Sequence, residues 1–225
     1  MHTSTGRVAE IRLDQGQGMA WIACPGRAIP APGQYLLATP AKAILSTPLF
    51  CAQPGERGFL AAPPIPADWV PGTWLALRGP LGRGFRLPGE AWHLALVAAG
   101  DSITRLLPLA AAALLQDTAV TLFSDAPLPG PPSSLEAYPL SALPELISWA
   151  DFLAVELSHE RLPGLREILG LAAHSFPPCS GQAMILTPMP CGGLAGCEVC
   201  AMPTRHGYKL ACADGPVFEL KDLMV

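Results

Sequence analysis

Trp92-His93-Leu94-Ala95-Leu96-Val97-Ala98 is where the chain changes its pattern. From His93 onward the run has no polar alternation, which reads as a strand covered on both faces. Upstream of it, residues 7–88 read as short strands separated by turn residues. Val8, Ile11 and Leu13 mark the first strand, and Met19-Ala20-Trp21-Ile22-Ala23-Cys24 the second. Pro32-Gly33 turns into Gln34-Tyr35-Leu36-Leu37-Ala38, and Leu49-Phe50-Cys51 and Phe59-Leu60-Ala61 follow. Pro71-Gly72 then turns into Thr73-Trp74-Leu75-Ala76-Leu77. Strands at this spacing predict a small antiparallel barrel.

Downstream, strands alternate with helical stretches. Residues 103–116 are helical in composition, with a kink expected at Pro108. Ala119-Val120-Thr121-Leu122-Phe123 is a second buried strand, Phe152-Leu153-Ala154-Val155-Glu156-Leu157 a third, and residues 182–186 a fourth. Residues 125–134 read as a proline-rich loop, and 141–149 and 162–171 as helices. This alternation predicts an α/β unit with a doubly wound parallel sheet. Pro88-Gly89 breaks the first pattern, so the expected divisions are a barrel over 1–90, an α/β unit over 91–188 and a separate segment over 189–225.

That last segment carries the chemistry. It runs Pro188-Met189-Pro190-Cys191-Gly192-Gly193-Leu194-Ala195-Gly196-Cys197-Glu198-Val199-Cys200, and Cys212 follows. Four of the seven cysteines fall within 22 residues, spaced Cys-x5-Cys-x2-Cys-x11-Cys. Crowded thiolates repel unless a cation neutralises them, and a plant-type [2Fe–2S] centre uses Cys-x4-Cys-x2-Cys…Cys. The extra residue falls in a loop where Gly192, Gly193 and Gly196 give the backbone freedom to absorb it and to aim N–H groups at sulfur. Cys191, Cys197, Cys200 and Cys212 are therefore the candidate ligands. Zinc also fits four thiols, although such sites usually pair two Cys-x2-Cys or His-x3-His steps and His206 has no companion at that spacing. Unligated thiols or a disulfide pair would be compatible with the spacing as well.

Composition narrows the class. Half of the 225 residues are hydrophobic, 14% are charged, and the net charge is −4 without a basic block. Nucleic-acid binding is not expected. The longest apolar run, 106–115, is short of the ~20 residues a bilayer needs and contains Pro108, so no membrane span is expected. The N-terminus lacks an apolar signal core. These features imply a soluble cytoplasmic protein, where clustered thiols stay reduced and favour metal over disulfides. The low charge and the 26 prolines imply a surface partly covered by a partner.

The order of barrel, α/β unit and cysteine segment resembles the electron-transfer subunit of the NAD-linked, two-subunit dihydroorotate dehydrogenase, within the ferredoxin-reductase-like superfamily. The resemblance spans nearly the whole chain. Three stretches carry it: Pro32-Gly33-Gln34-Tyr35, Gly79-Pro80-Leu81-Gly82-Arg83-Gly84-Phe85, and the cysteine segment with Cys212-Ala213-Asp214-Gly215-Pro216-Val217-Phe218. It implies FAD on the barrel, NAD(H) on the α/β unit, and a [2Fe–2S] cluster passing electrons to a flavin in a catalytic oxidoreductase partner, hence a hetero-oligomer.

The chain departs from that family at both nucleotide sites. The flavin motif Arg-Pro-x-Ser is matched by Thr47-Pro48-Leu49-Phe50, without the arginine or the serine. The Gly-Thr pair expected at a helix start is replaced by Ala62-Pro63, and Pro63 and Pro64 supply no N–H. Flavin can also be held by backbone groups and by aromatic stacking, so Tyr35, Thr47, Pro48, Leu49 and Phe50 are the candidate flavin residues and FAD binding stays open. The nicotinamide loop reads Ala99-Gly100-Asp101-Ser102-Ile103-Thr104-Arg105. It keeps one glycine, and Asp101 would repel a pyrophosphate that Arg105 offsets only in part. NAD(H) binding is expected to be weak or lost.

The remaining residues have plainer expected roles. Cys24 and Cys51 are expected in the core, Cys179 as a loop thiol, and His93, His159 and His174 as isolated side chains. Met184, Met189 and Met202 are expected to pack around the cysteine segment, and Glu198 to face solvent. Leu194, Ala195, Gly196, Val199, Ala201 and Met202 form an expected docking face with Glu198 as its one charge. Three functions follow: a flavin-containing electron-transfer subunit, a flavin-free [2Fe–2S] connector, or a zinc-stapled structural subunit.

Overall fold

The computed structural model describes residues 2–14, 16–126 and 135–224. Six strands form the first unit: β1 (Thr3–Asp14), β2 (Gln17–Ala23), β3 (Tyr35–Pro40), β4 (Thr47–Gly55), β5 (Gly58–Ala61) and β6 (Trp74–Leu81). They close into an antiparallel barrel in the order β1-β2-β5-β4-β3-β6. Closure depends on the length of β1. Its first half pairs with β6 from Thr3 to Arg7, and its second half pairs with β2, with an irregularity between Val8 and Glu10 where the strand changes partner. Inward positions pack Val8, Ile22, Leu36, Leu49, Phe59, Leu75 and Leu77. Alternation along β3 sends Tyr35 and Leu37 the other way, into the core shared with the rest of the chain.

The second unit is built from β7 (His93–Ala98), α1 (Leu107–Leu114), β8 (Ala119–Ser124), β9 (Glu136–Tyr138), α2 (Leu143–Leu146), β10 (Phe152–Ser158), α3 (Leu165–Ile168) and β11 (Ser180–Leu186). The C-terminal segment adds the hairpin β12 (Ala201–Thr204) and β13 (Gly207–Leu210), then β14 (Val217–Glu219) and α4 (Leu220–Leu223). The sheet order is β14-β11-β10-β7-β8-β9. All its pairings are parallel except β11 with β14. One face packs Leu94, Leu96, Val120 and Leu122 against Leu109 and Ala113 of α1. The other packs Leu153, Val155 and Leu157 against Leu143, Leu165 and the cysteine segment. The expected barrel and doubly wound sheet are both present.

The helices are shorter than composition implies. Residues 103–116 yield only the eight residues of α1, and Pro108 stands at its first turn, where a missing N–H costs nothing, so it starts the helix rather than kinking it. Residues 141–149 divide into α2 between two 3-10 turns, and 162–171 into a 3-10 stretch followed by α3. Of the proline-rich loop expected over 125–134, residues 127–134 lie outside the described residues. No helix among the described residues is long and apolar enough to cross a membrane.

Candidate metal centre

The four cysteines come together as two pairs. Cys191 lies within hydrogen-bonding reach of Cys197, and Cys200 within reach of Cys212. Cys191 and Cys212 are also close enough to feel one another's charge. The loop between Cys191 and Cys197 turns its backbone inward. The N–H groups of Gly193, Leu194 and Gly196 lie near enough to the Cys191 sulfur to favour its thiolate, and that of Ala195 acts in the same way on Cys212. This requires left-handed backbone at Gly192 (φ 61°), Gly193 (φ 73°), Ala195 (φ 57°) and Glu198 (φ 55°). Two of these four are not glycine, so the loop holds a conformation that costs its own backbone energy.

The electrostatics differ between the pairs. Backbone donation from Gly196, then contact with Cys197, pulls the Cys191 thiol down to about 6. Burial, then the neighbouring Cys200, pushes Cys212 up to about 11. Cys200 and Cys212 are buried, while Cys197 and Glu198 are exposed. Among the described residues, no three His, Cys, Asp or Glu side chains are arranged around the position of a single metal ion. Met189 and Met202 are buried in the same core as Cys200 and Cys212, as expected of packing residues.

The three sequence stretches that carry the resemblance meet at this centre. Gly82 lies so close to Gly215 and Pro216 that a Cβ there would sit 2.6 Å from the Pro216 ring and 2.8 Å from the Gly215 carbonyl. The Arg83 N–H donates to the Gly215 carbonyl at 2.6 Å. Gly33 is pressed against Val217 and Phe85, where a Cβ would meet atoms at 2.6 and 2.9 Å. The Tyr35 hydroxyl donates to the Cys212 carbonyl at 3.0 Å. Gly33 and Gly82 thus serve close backbone packing between the barrel and the cysteine segment.

The candidate flavin residues do not line one surface. Leu49 is fully buried in the barrel interior, and Tyr35 is fully buried outside it, so neither presents a ring or side-chain face to a ligand. Thr47, Pro48 and Phe50 are half-buried, and the Phe50 ring is 6.2 Å from that of Tyr35. Residues 62–73, between β5 and β6, form turns without a helix, so no helix N-terminus faces the place where the pyrophosphate is expected.

A crevice of about 450 Å³ opens at the C-terminal ends of β7, β10 and β11, against Pro63 and Pro64 of the barrel. Ligands of open α/β sheets bind in this position. Here Arg105 crosses it, donating to Glu156 Oε1 at 2.6 Å and to the Pro63 carbonyl at 2.7 Å. The second carboxylate oxygen, Oε2, is buried without a partner. Eight residues separate β7 from α1, and the Thr104 N–H is taken by the Ser102 hydroxyl at 3.2 Å. The turn that would place a helix N-terminus directly after the strand is absent, and Asp101 is exposed at the rim. Arg105, expected to offset Asp101, is instead committed to Glu156.

The remaining thiols sit away from the centre. Cys24 and Cys51 are buried in the barrel, where burial pushes them up to about 11 and about 12. Cys179 precedes β11 near Asp151, at the opposite end of the strand from Cys191, so it is no spare ligand. The hairpin β12–β13 and the antiparallel strand β14 escape a reading of the sequence alone. The alternation Ala201-Met202-Pro203-Thr204, buried at every second residue, is the signal that could have found the hairpin.

The C-terminal residues 187–224 match a family model described as the iron-sulfur cluster binding domain of dihydroorotate dehydrogenase B. Among solved structures, the NADH-dependent reduced ferredoxin-NADP oxidoreductase, described for flavin-based electron bifurcation, is 17% identical with a TM-score of 0.76, covering 97% of this chain and 89% of that one. The ferredoxin reductase of carbazole 1,9a-dioxygenase is 16% identical with a TM-score of 0.62, covering 75% of this chain and 65% of that one. Ferredoxin-NADP+ reductase from Plasmodium falciparum is 11% identical with a TM-score of 0.54, covering 77% of this chain and 91% of that one. No curated protein matches the sequence significantly. The fold is ferredoxin-reductase-like, and the cysteine segment resembles the iron-sulfur cluster binding domain of dihydroorotate dehydrogenase B.

Proposed function

We propose that this chain is an iron–sulfur electron-transfer subunit, in which Cys191, Cys197, Cys200 and Cys212 hold a [2Fe–2S] cluster. The observation that carries this reading is the arrangement of the thiols as two pairs, with backbone N–H groups of one loop directed toward Cys191 and Cys212. A binuclear cluster takes two thiolates on each iron, whereas structural zinc needs four donors around one point. When bound, the cluster supplies one-electron transfer. The loop's N–H groups offset the negative charge that reduction adds to the sulfurs. The exposed edge at Cys197 provides the approach for a partner.

The residues present do not fit FAD in the manner the resemblance implies. The two fully buried candidates, Leu49 and Tyr35, are committed elsewhere, and the barrel offers no helix start for a pyrophosphate. These observations favour the flavin-free connector over a subunit with its own flavin. Arg105, Glu156 and Pro63 likewise occupy the nicotinamide crevice, which supports loss of NAD(H) binding. The electron partner is then a flavin-bearing catalytic oxidoreductase, of the dihydroorotate dehydrogenase kind that the cysteine segment implies, in a cytoplasmic hetero-oligomer. Iron and acid-labile sulfide analysis with a visible spectrum tests this reading. Two irons and two sulfides per chain without flavin absorbance are expected. Zinc without sulfide would overturn the cluster, and stoichiometric flavin would restore the flavin-containing subunit.

A further inference from the structure

Tyr35 is a candidate flavin residue by sequence, and its surroundings give it a different task. It is fully buried, and its hydroxyl donates to the Cys212 carbonyl across 177 positions of sequence. The same hydroxyl would lie 2.8 Å from a Cβ placed on Gly193. Gly193 in turn directs its N–H at Cys191. One hydroxyl therefore touches both halves of the centre: the turn that presents Cys212, and the loop that presents Cys191 and Cys197. The Cys212 turn is itself closed from below, with Ala213 and Asp214 N–H groups on the Leu210 carbonyl and Leu210 N–H on the Asp214 carboxylate. Tyr35 takes the Cys212 carbonyl from the barrel side.

We propose that Tyr35 is a positioning residue of the cluster, fixing the separation between the Cys191–Cys197 and Cys200–Cys212 pairs through the Cys212 carbonyl and Gly193. Anchored on β3, it transmits the rigidity of the barrel to a loop that is otherwise glycine-rich. This rests on the cluster reading above. Outer partners of metal ligands set ligand orientation, and losing one typically costs about 10- to 100-fold in metal affinity.

The test compares the wild-type chain with Tyr35→Phe, which keeps the ring and removes the hydroxyl. Wild-type iron and sulfide content examines the cluster reading itself. The variant is expected to assemble the cluster, to lose it to a chelator about 10- to 100-fold faster, and to shift both its electron paramagnetic resonance spectrum and its midpoint potential. The thermal midpoint of the metal-free chain is expected to fall modestly, as the loss of one buried hydrogen bond requires, so the spectrum and the potential carry the test. Unchanged release, spectrum and potential in a fully loaded variant would overturn the positioning role while leaving the cluster in place. So would a loss of metal-free stability with an unaltered spectrum, which would mark Tyr35 as a packing residue only. Absence of iron and sulfide from the wild type would overturn both readings.

Discussion

Arg105 and Glu156 form an ion pair of 2.6 Å with side chains 10% and 1% exposed, in the crevice between the sheet and the barrel. Because Arg105 also holds the Pro63 carbonyl, the pair joins the two units. Removing one member of a buried pair leaves the other uncompensated, at about 3 kcal/mol or more. Arg105→Ala is expected to destabilise the chain by that amount in urea unfolding. The apolar double variant Arg105→Met with Glu156→Leu is expected to recover most of the loss.

The same pair sets a pH dependence. Burial raises the Glu156 carboxyl above its ordinary 4.5, and Arg105 only partly opposes this. The folded chain thus binds more protons than the unfolded chain at pH values just above 4.5. The associated stability is complete below that value and is lost as pH rises through the elevated folded value. Unfolding measured across that window is expected to show this slope in the wild type and not in Glu156→Gln.

NADH titration provides a separate check on the crevice. With the Thr104 N–H already satisfied and Asp101 at the rim, no saturable binding is expected over roughly 1 μM to 1 mM, the usual range for enzyme substrates. Saturation in that range, or rapid reduction of the chain by NADH alone, would sink the assignment.

The strands are legible in the sequence because alternation and turn residues report burial directly, and the apolar run from His93 to Ala98 matches β7 residue for residue. The stretch 103–116 overstates its helix because Ile103 and Leu106 are buried in a loop, and composition does not separate a buried loop from a helix. That Cys191, Cys197, Cys200 and Cys212 come near one another is legible from their spacing. The role of Tyr35 is not, because its partner lies in a distant segment and aromatic character suits a flavin as well as a core. Met202 misleads for a related reason. Its segment has the composition of a loop, but it is strand, and alternation turns Met202 inward.

Thiol chemistry of the metal-free chain should follow the local environments. Backbone donors hold Cys191 near 6, so its thiolate predominates at neutral pH. Burial holds Cys24 and Cys51 near 11 and 12. Alkylation at pH 7.5 in the native state is expected to modify Cys191 first, and its rate should fall as pH drops through about 6. Cys24 and Cys51 are expected to react only after unfolding. Mass mapping of the alkylated peptides reads the order.

The partner surface can be redrawn from exposure. Leu194 is 69% exposed and Val199 50%, beside the exposed Cys197, whereas Met202 is fully buried and leaves the docking face expected from the sequence. The barrel extends the patch. Gly192 approaches Ser46, where a Cβ would come within 3.8 Å of its hydroxyl, and the adjoining Ile44 and Leu45 are 97% and 61% exposed. Two loops from different parts of the chain thus present large apolar side chains around the most accessible thiol, as a covered surface does. Leu194→Glu and Ile44→Glu should change folding stability by no more than about 0.5 kcal/mol, because both positions are solvent-exposed in the isolated chain. Each should weaken capture of the catalytic partner by about tenfold to a hundredfold, the effect of an interface side chain worth roughly 1.4–2.8 kcal/mol. Met202→Glu should do the reverse, costing several kcal/mol of stability by burying a charge. Affinity measured against thermal stability for the three variants separates the surface from the core. Normal co-purification of both exposed variants would place the partner elsewhere on the molecule.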